Sequence, residues 1–274
     1  MIDDPELESI LSVAISAAES GGEVLRRYWD DGVELRDKSS SGGKTYDLVS
    51  DADVESQHAV AKRIASSYPD HELMGEEDLV GDTSREHVWI IDPLDGTNNF
   101  AHHVPHFAVS IAYFRGGRPT VGVVSNPITG DLYTAVRGYG TYHNNKPIQV
   151  ASSTSLSESL VGCGFYYDRG EMMRSTLAAI EEFFAHDIHG IRRFGTAALD
   201  LCAVASGMFG VFFEYKLSPW DFAAGQLIVA EAGGIVTDAL GGQLGLAPSS
   251  VLASNGALHP PALAITQKHA SFGS

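Results

Sequence analysis

The sequence predicts a layered α+β fold, and three observations carry that expectation. A long amphipathic helix opens the chain, with Leu7, Ile10, Leu11, Ala14, Ile15, Ala18, Val24 and Leu25 at helical spacing. A β-rich middle block follows, broken by turn residues at Gly116-Gly117, 127–130 and Asn144-Asn145, the pattern of an antiparallel meander. The C-terminal part then alternates helices with short strands, which calls for stacked layers of both.

The elements follow in order. The first helix spans about residues 7–28. Residues 30–45 are polar and rich in Gly and Ser, so they read as a loop or hairpin. Asp51 or Asp53 begins a second helix, which carries Val54, His58, Ile64 and Ala65 and stops at Pro69. Strands are expected at 88–91, 107–114, 120–125, 131–136 and 140–143. Further strands fall near 160–164, 188–194, 210–215, 235–237 and 251–254. Helices at 171–184, 196–206, 220–232 and 260–267 separate them. A boundary near 145–155 divides the chain into an N-terminal half, 1–150, and a C-terminal half, 151–274.

Composition limits the function. The 274 residues suffice for one large domain or two packed halves. No apolar run approaches the roughly 20 residues of a membrane span. Residues 1–8 are acidic and lack the basic and apolar parts of a signal peptide, so the expected location is cytoplasmic, with no membrane partner. A net charge of −17 opposes a nucleic-acid partner, because a phosphate backbone needs a basic surface. Cys163 and Cys202 lie in no metal-ligand spacing and read as buried thiols of a reducing compartment.

The chemistry concentrates at 90–100, Ile-Ile-Asp-Pro-Leu-Asp-Gly-Thr-Asn-Asn-Phe. The apolar strand ends at Asp92, and a second carboxylate, Asp95, follows three residues later. Gly96-Thr97-Asn98 can open a helix whose free N–H groups face the same point. Paired acids hold hard cations, and a helix N-terminus holds an anion, so the stretch points to metal-assisted phosphate chemistry. Three more acidic clusters sit at element ends: Asp47 with Asp51 and Asp53, Glu76 to Asp78, and Asp221 seven residues after Glu214. Each has a plainer reading: Asp51, Asp53 and Asp221 can cap helices, and Glu76 to Asp78 can be a solvated turn. Asp92 is the exception, because a carboxylate ending an apolar strand is costly without a partner such as a cation.

Taken together, Glu76-Glu77, Asp92-Pro93-Leu94-Asp95-Gly96-Thr97 and Trp220-Asp221 resemble the paired motifs of the inositol monophosphatase family. Asp47-Leu48-Val49 with Asp53, Gly195-Thr196-Ala197-Ala198 and Glu231-Ala232-Gly233-Gly234 extend the likeness over about residues 7–265. The resemblance implies an α-β-α-β-α sandwich, a homodimer, and a magnesium-dependent, lithium-sensitive phosphatase of small phosphorylated polyols. It implies about two to three magnesium ions per site, which manganese can replace. Glu76, Asp92 and the Leu94 carbonyl would hold a first ion, and Asp92, Asp95 and Asp221 a second; a third would lean on Glu76. Thr97 and Asp53 would orient the attacking water, and the N–H groups of Gly96 and Thr97 would hold the phosphate. Ala197 (through its backbone), Glu214, Asp95 and Asp221 would face the substrate hydroxyls.

Inositol 1-phosphate is the leading substrate, since a carboxylate such as Glu214 accepts hydrogen bonds from ring hydroxyls. Fructose-1,6-bisphosphatase or histidinol-phosphate phosphatase activity on the same scaffold is the alternative, and a non-catalytic scaffold is the third reading. His102, His103 and His106 lack the spacing of a zinc site and read as surface or structural residues. Lys44 lies near the motif but outside the firm match, and residues 165–171 follow no pattern of the family.

Overall fold

The computed structural model describes residues 2–31, 35–37 and 48–270. The N-terminal apolar stripe forms α1 (Pro5–Asp31), which buries Leu7, Ile10, Val13, Ala14, Ala17, Ala18 and Leu25. β1 (Leu35–Asp37) and β2 (Leu48–Ser50) pair antiparallel, as a hairpin requires. Lys44 and Asp47 lie outside the described residues. The second helix, α2 (Asp51–Ala65), starts where its acidic first turn suits the helix dipole. Its buried face is not the expected one: His58 is exposed, while Asp53, Ser56 and Gln57 are buried beside Ala52, Val60 and Ile64.

Seven strands form the first sheet in chain order: β3 (Glu72–Gly75), β4 (His87–Asp95), β5 (Ala108–Arg115), β6 (Arg118–Asn126), β7 (Asp131–Val136), β8 (Gly140–His143) and β9 (Lys146–Pro147). From β4 onward each pairing is antiparallel, so the meander stands. β3 pairs parallel with β4 and was not legible in the sequence; a four-residue edge strand is too short to show a period. α3 (Thr97–Ala101) follows β4 directly.

Five strands form the second sheet: β10 (Leu160–Cys163), β11 (Gly190–Arg192), β12 (Val211–Leu217), β13 (Gly234–Thr237) and β14 (Ser249–Asn255), ordered β11-β10-β12-β14-β13. The intervening helices are α4 (Glu171–Ala185), α5 (Ala197–Ala205), α6 (Pro219–Glu231) and α7 (His259–His269). Strand alternation sorts the cores. Val88, Ile90, Ala108, Ala112 and Val124 face α5 and α6, together with Phe212, Val251 and Ala253 of the second sheet. Trp89, Ile91, Val109, Ile111, Tyr113 and Val123 face α1 and α2. Val161, Cys163, Phe213 and Leu252 face α4 and α7. The layer order is therefore α-β-α-β-α, as expected.

One strand departs from expectation in a way that matters. β4 does not stop at Ile91 but runs through Asp92 to Asp95. Asp92 pairs with Ser110 and Asp95 with Ala108, so three steps on β4 oppose two on β5. That is a β-bulge, and Pro93, which has no N–H to donate, sits inside it. In a regular strand, residues three apart point to opposite faces. The extra residue returns Asp95 to the face that carries Asp92.

α6 is apolar all round because it packs between the two sheets. Its approach to β6 leaves no room for a side chain: a Cβ on Gly122 would sit 2.9 Å from the carbonyl oxygen of Ala224. Gly122→Ala relieves the backbone entropy of a strand glycine by about 0.4–1 kcal/mol. The clash with fixed backbone costs about 1–3 kcal/mol and prevails. The expected result is a Tm lowered by roughly 2–8 °C, read by calorimetry. An unchanged or raised Tm would show that the sheet yields there.

Candidate active site

The bulge of β4, the start of α6 and the turn after β3 deliver four acids to one place. Oxygens of Asp92, Asp95 and Asp221 all lie within 4.8 Å of one another. Glu76 follows β3, and its charge acts on both Asp92 and Asp95. Asp92 is 1% exposed. Its Oδ1 accepts from the Leu94 N–H at 3.0 Å, while Oδ2 is buried with no partner. Burial, then the charges of Glu76, Asp95 and Asp221, push its carboxyl well above the usual range.

The other two acids are half satisfied by backbone. Asp95 Oδ2 accepts from the Ala198 N–H at 2.7 Å, at the first turn of α5. Asp221 occupies the third helical position of α6, and its Oδ2 accepts from the Ser218 N–H at 2.6 Å, one arm of a capping box. Burial first of all raises both carboxyls to about 7. The capping reading of Asp221 and the ligand reading therefore hold together: the cap uses Oδ2 and aims the residue.

Thr97 opens α3 and touches two acceptors, Asp53 Oδ1 and the Leu94 carbonyl, each at 3.2 Å. Its single hydroxyl proton points toward that pair, which leaves its lone pairs for another donor. Gly96 holds φ +98, and a Cβ there would lie 2.7 Å from Thr196 Oγ1. A side chain is therefore doubly disfavoured at the residue joining the bulge to α3. Ser56 Oγ donates to the Pro93 carbonyl at 2.9 Å, tying α2 to the bulge.

Glu76, Asp92, Asp95, Thr97 and Asp221 line a cavity of about 310 Å³, together with Ala197 and Glu214. Glu214 on β12 is 8% exposed, and burial raises its carboxyl well above the usual range. Gly164 leaves the space it needs, since a Cβ there would lie 1.7 Å from Glu214 Oε2. Every sequence-predicted site residue except Asp53, which reaches the site through Thr97, lines this cavity or belongs to the carboxylate cluster. His102, His103 and His106 do not line it. Cys163 and Cys202 are buried and unbonded to each other, as expected.

One residue was missed. Asp200 is 1% exposed, lines the cavity, and leaves Oδ1 without a partner. The signal was available: Asp200 is an acid within the otherwise apolar run Ala197 to Ala205, and all nine residues of that helix are buried. A carboxylate in such a place needs a reason, as Asp92 does.

The donor set is oxygen only, it includes an orphaned buried carboxylate atom, and its members raise one another's proton affinity. That chemistry fits a hard divalent cation. Among the described residues no helix is long and apolar enough to cross a membrane.

Comparison with known proteins places the chain among close relatives. The model of the inositol monophosphatase family matches residues 6–271. The Nus factor SuhB of Pasteurella multocida is 40% identical over 251 residues, 90% of this chain and 92% of that protein. The inositol-1-monophosphatase of Synechocystis is 37% identical over 255 residues, 93% of this chain and 87% of the relative. The solved inositol monophosphatase of Anabaena superposes with a TM-score of 0.84 at 35% identity, covering 96% of this chain and 97% of that one.

The carboxylate cluster couples stability to pH. Asp95 and Asp221 hold protons in the metal-free folded state to about pH 7, above the unfolded value near 3.8. Their contribution to stability is fully present below about pH 4 and is lost as pH rises through about 7. The metal-free protein should therefore gain more Tm from magnesium at pH 7.5 than at pH 5.5, in differential scanning fluorimetry with and without chelator. Asp92→Asn, which removes the orphaned charge, should raise the metal-free Tm by at least about 2 °C and abolish the magnesium response. A full magnesium response in the variant would exclude Asp92 as a ligand.

Proposed function

The chain belongs to the inositol monophosphatase family, and from that membership we propose that it hydrolyses phosphate monoesters of small polyols with magnesium, inositol 1-phosphate first among them. The enzyme class is phosphoric monoester hydrolase. One observation carries the reading: three carboxylates with oxygens within 4.8 Å, one of them buried with an unbonded oxygen, line a cavity that Glu214 also borders.

The roles follow from chemistry. Glu76, Asp92 and the Leu94 carbonyl would hold one ion, and Asp92, Asp95 and Asp221 a second. When bound, such ions polarise the phosphoryl oxygens and make a nearby water acidic enough to lose its proton near neutral pH. Thr97 directs its own proton toward Asp53 and the Leu94 carbonyl, and its free lone pairs accept from the attacking water. Asp53 is the sink toward which that water's proton moves. The N–H groups of Gly96 and Thr97 meet the phosphate, and the left-handed Gly96 lets the backbone approach it. Glu214, Asp95 and Asp221 accept from the hydroxyls of the alcohol, which the Ala197 backbone also faces. No side chain need become a covalent nucleophile, because phosphoryl transfer depends on positioning and charge neutralisation.

Further features belong to the same proposal: a cytoplasmic homodimer, inhibited by lithium, with the N-terminal half 1–150 supplying most metal ligands and the half 151–274 supplying Glu214 and Asp221. The buried free thiols agree with a reducing compartment.

A second reading has its own observation, the name Nus factor borne by a 40% identical relative. It gives the chain a binding role on a partner protein, independent of hydrolysis. The net charge of −17 weighs against direct contact with nucleic acid.

Purified protein with magnesium should release phosphate from inositol 1-phosphate, and Asp95→Asn should lower kcat by roughly 10³-fold or more while the fold persists by circular dichroism. No release from any sugar or polyol phosphate would sink the enzymatic reading. Glu214→Gln should raise KM for inositol 1-phosphate more than for glycerol 2-phosphate, because fewer hydroxyls are lost to the smaller alcohol. Equal effects on both would remove Glu214 from hydroxyl recognition.

A further inference from the structure

Three of the four clustered acids take their aim from the bulge or from a helix start. Asp92 and Asp95 sit in the bulge, where each accepts a backbone N–H, and Asp221 accepts one at the cap of α6. Glu76 is placed differently. It follows β3, a four-residue strand at the edge of the sheet beside β4. Gly75 pairs in parallel with Ile91, so Glu76 and Asp92 are the next residues along the two neighbouring chains. There β3 ends, and the ladder no longer holds the chain. The Gly75 N–H donates to the Leu79 carbonyl at 3.0 Å and closes residues 75–79 into a loop.

α2 braces that loop. Asp53, Ser56 and Gln57 are spaced three and four apart, share one face of the helix and are all buried. Each meets a different part of the site: Asp53 meets Thr97, Ser56 meets the Pro93 carbonyl, and Gln57 meets the loop behind Glu76. Gln57 Oε1 accepts from the Glu77 N–H at 3.1 Å, and Nε2 donates to Asp78 Oδ1. A backbone N–H can only donate, so it fixes which way the amide faces and aims the NH₂ at the carboxylate. Asp78 Oδ2 meets His58 Nε2 at 3.1 Å, so consecutive residues of α2 grip both oxygens of Asp78. The fit leaves no slack: a Cβ on Gly75 would lie 2.2 Å from Gln57 Oε1.

From these contacts we propose that Gln57 is a positioning residue of the site: by holding residues 77 and 78 it sets the reach of the Glu76 carboxylate, and so the affinity for the first divalent cation. The inference rests on the phosphatase reading and on the ligand role that reading gives Glu76. Gln57 does not line the cavity, so it acts through Glu76 and not on the substrate. A neutral amide suits the post. It offers one acceptor to the Glu77 N–H and one donor to Asp78, and it adds no charge to a cluster already crowded with acids.

The test titrates magnesium into metal-free protein by isothermal calorimetry, and separately follows the magnesium dependence of phosphate release from inositol 1-phosphate. Gln57→Leu removes both hydrogen bonds at similar volume. It should weaken magnesium about tenfold or more in both readouts, with kcat at saturating magnesium within about threefold of wild type. Gln57→Glu keeps the acceptor but sets a second carboxylate against Asp78, so it should weaken magnesium as well. Adding Asp78→Asn returns a donor to the pair, now from the other side, and should restore the affinity to within about threefold of wild type. Unchanged magnesium affinity in Gln57→Leu, whatever its Tm, assigns Gln57 to packing alone and overturns the proposal. Should Gln57→Leu not fold, the exchanged pair decides, since it alters almost no volume. An affinity that Gln57→Glu leaves unchanged, or that Asp78→Asn does not restore, overturns the proposal equally. Calorimetry needs no substrate, so a wild type that binds magnesium yet releases no phosphate ends the phosphatase reading and leaves the Gln57 test standing. A wild type that binds no magnesium ends both.

Discussion

The repulsion among Asp92, Asp95, Asp221 and Glu76 is the constraint on which the rest depends. Burial first, and then like charge from one another and from Glu76, makes Asp92, Asp95 and Asp221 hold their protons to unusually high pH, and Asp92 leaves an oxygen with nothing to bond. A fold reaches such an arrangement only if apolar packing elsewhere over-determines it. Here the packing is extensive. β4 is buried on both faces, between α1 and α2 on one side and α5 and α6 on the other. The strand cannot retract to relieve its acidic end without opening two cores.

The bulge converts that rigidity into geometry. Without the extra residue, Asp92 and Asp95 would point to opposite faces of the sheet, one toward α6 and one toward α2. With it, both meet Asp221, which the capping box of α6 holds in turn. α6 can reach the sheet only because Gly122 and the small residues Ala223 and Ala224 permit close approach. The spacing of the acids is therefore set by the backbone: by the bulge, by the capping box and by the close approach at Gly122. The sites of strain and the sites of chemistry are neighbours for this reason.

How much of this the sequence revealed depends on the range of the signal. The long helices and the meander were legible because their periods repeat over many residues, and the acid motifs were legible because type and spacing recur together. β3 was not, since four residues hold no period and its partner lies twelve or more residues away. The continuation of β4 through Pro93 was hidden because proline reads as a stop, whereas a bulge can house it. Asp200 escaped because an acid in an apolar helix resembles noise until burial is known. The buried polar face of α2 escaped likewise: Ser56 and Gln57 are inward because the bulge and the segment after β3 need hydrogen-bond partners, a demand absent from local pattern.

The two sheets divide the labour of the site unequally. Asp92 and Asp95 belong to the first sheet, and Glu76 follows its edge strand, so these acids are tied to β4, a strand buried along seven of its nine residues. Glu214 and Lys216 belong to β12 of the second sheet, and α5 and α6 pack between that sheet and the first. A change at the bulge disturbs every acid at once. On such a scaffold the carboxylates at the bulge and the carboxylate of Glu214 come from two different sheets, so the two parts of the site can vary separately.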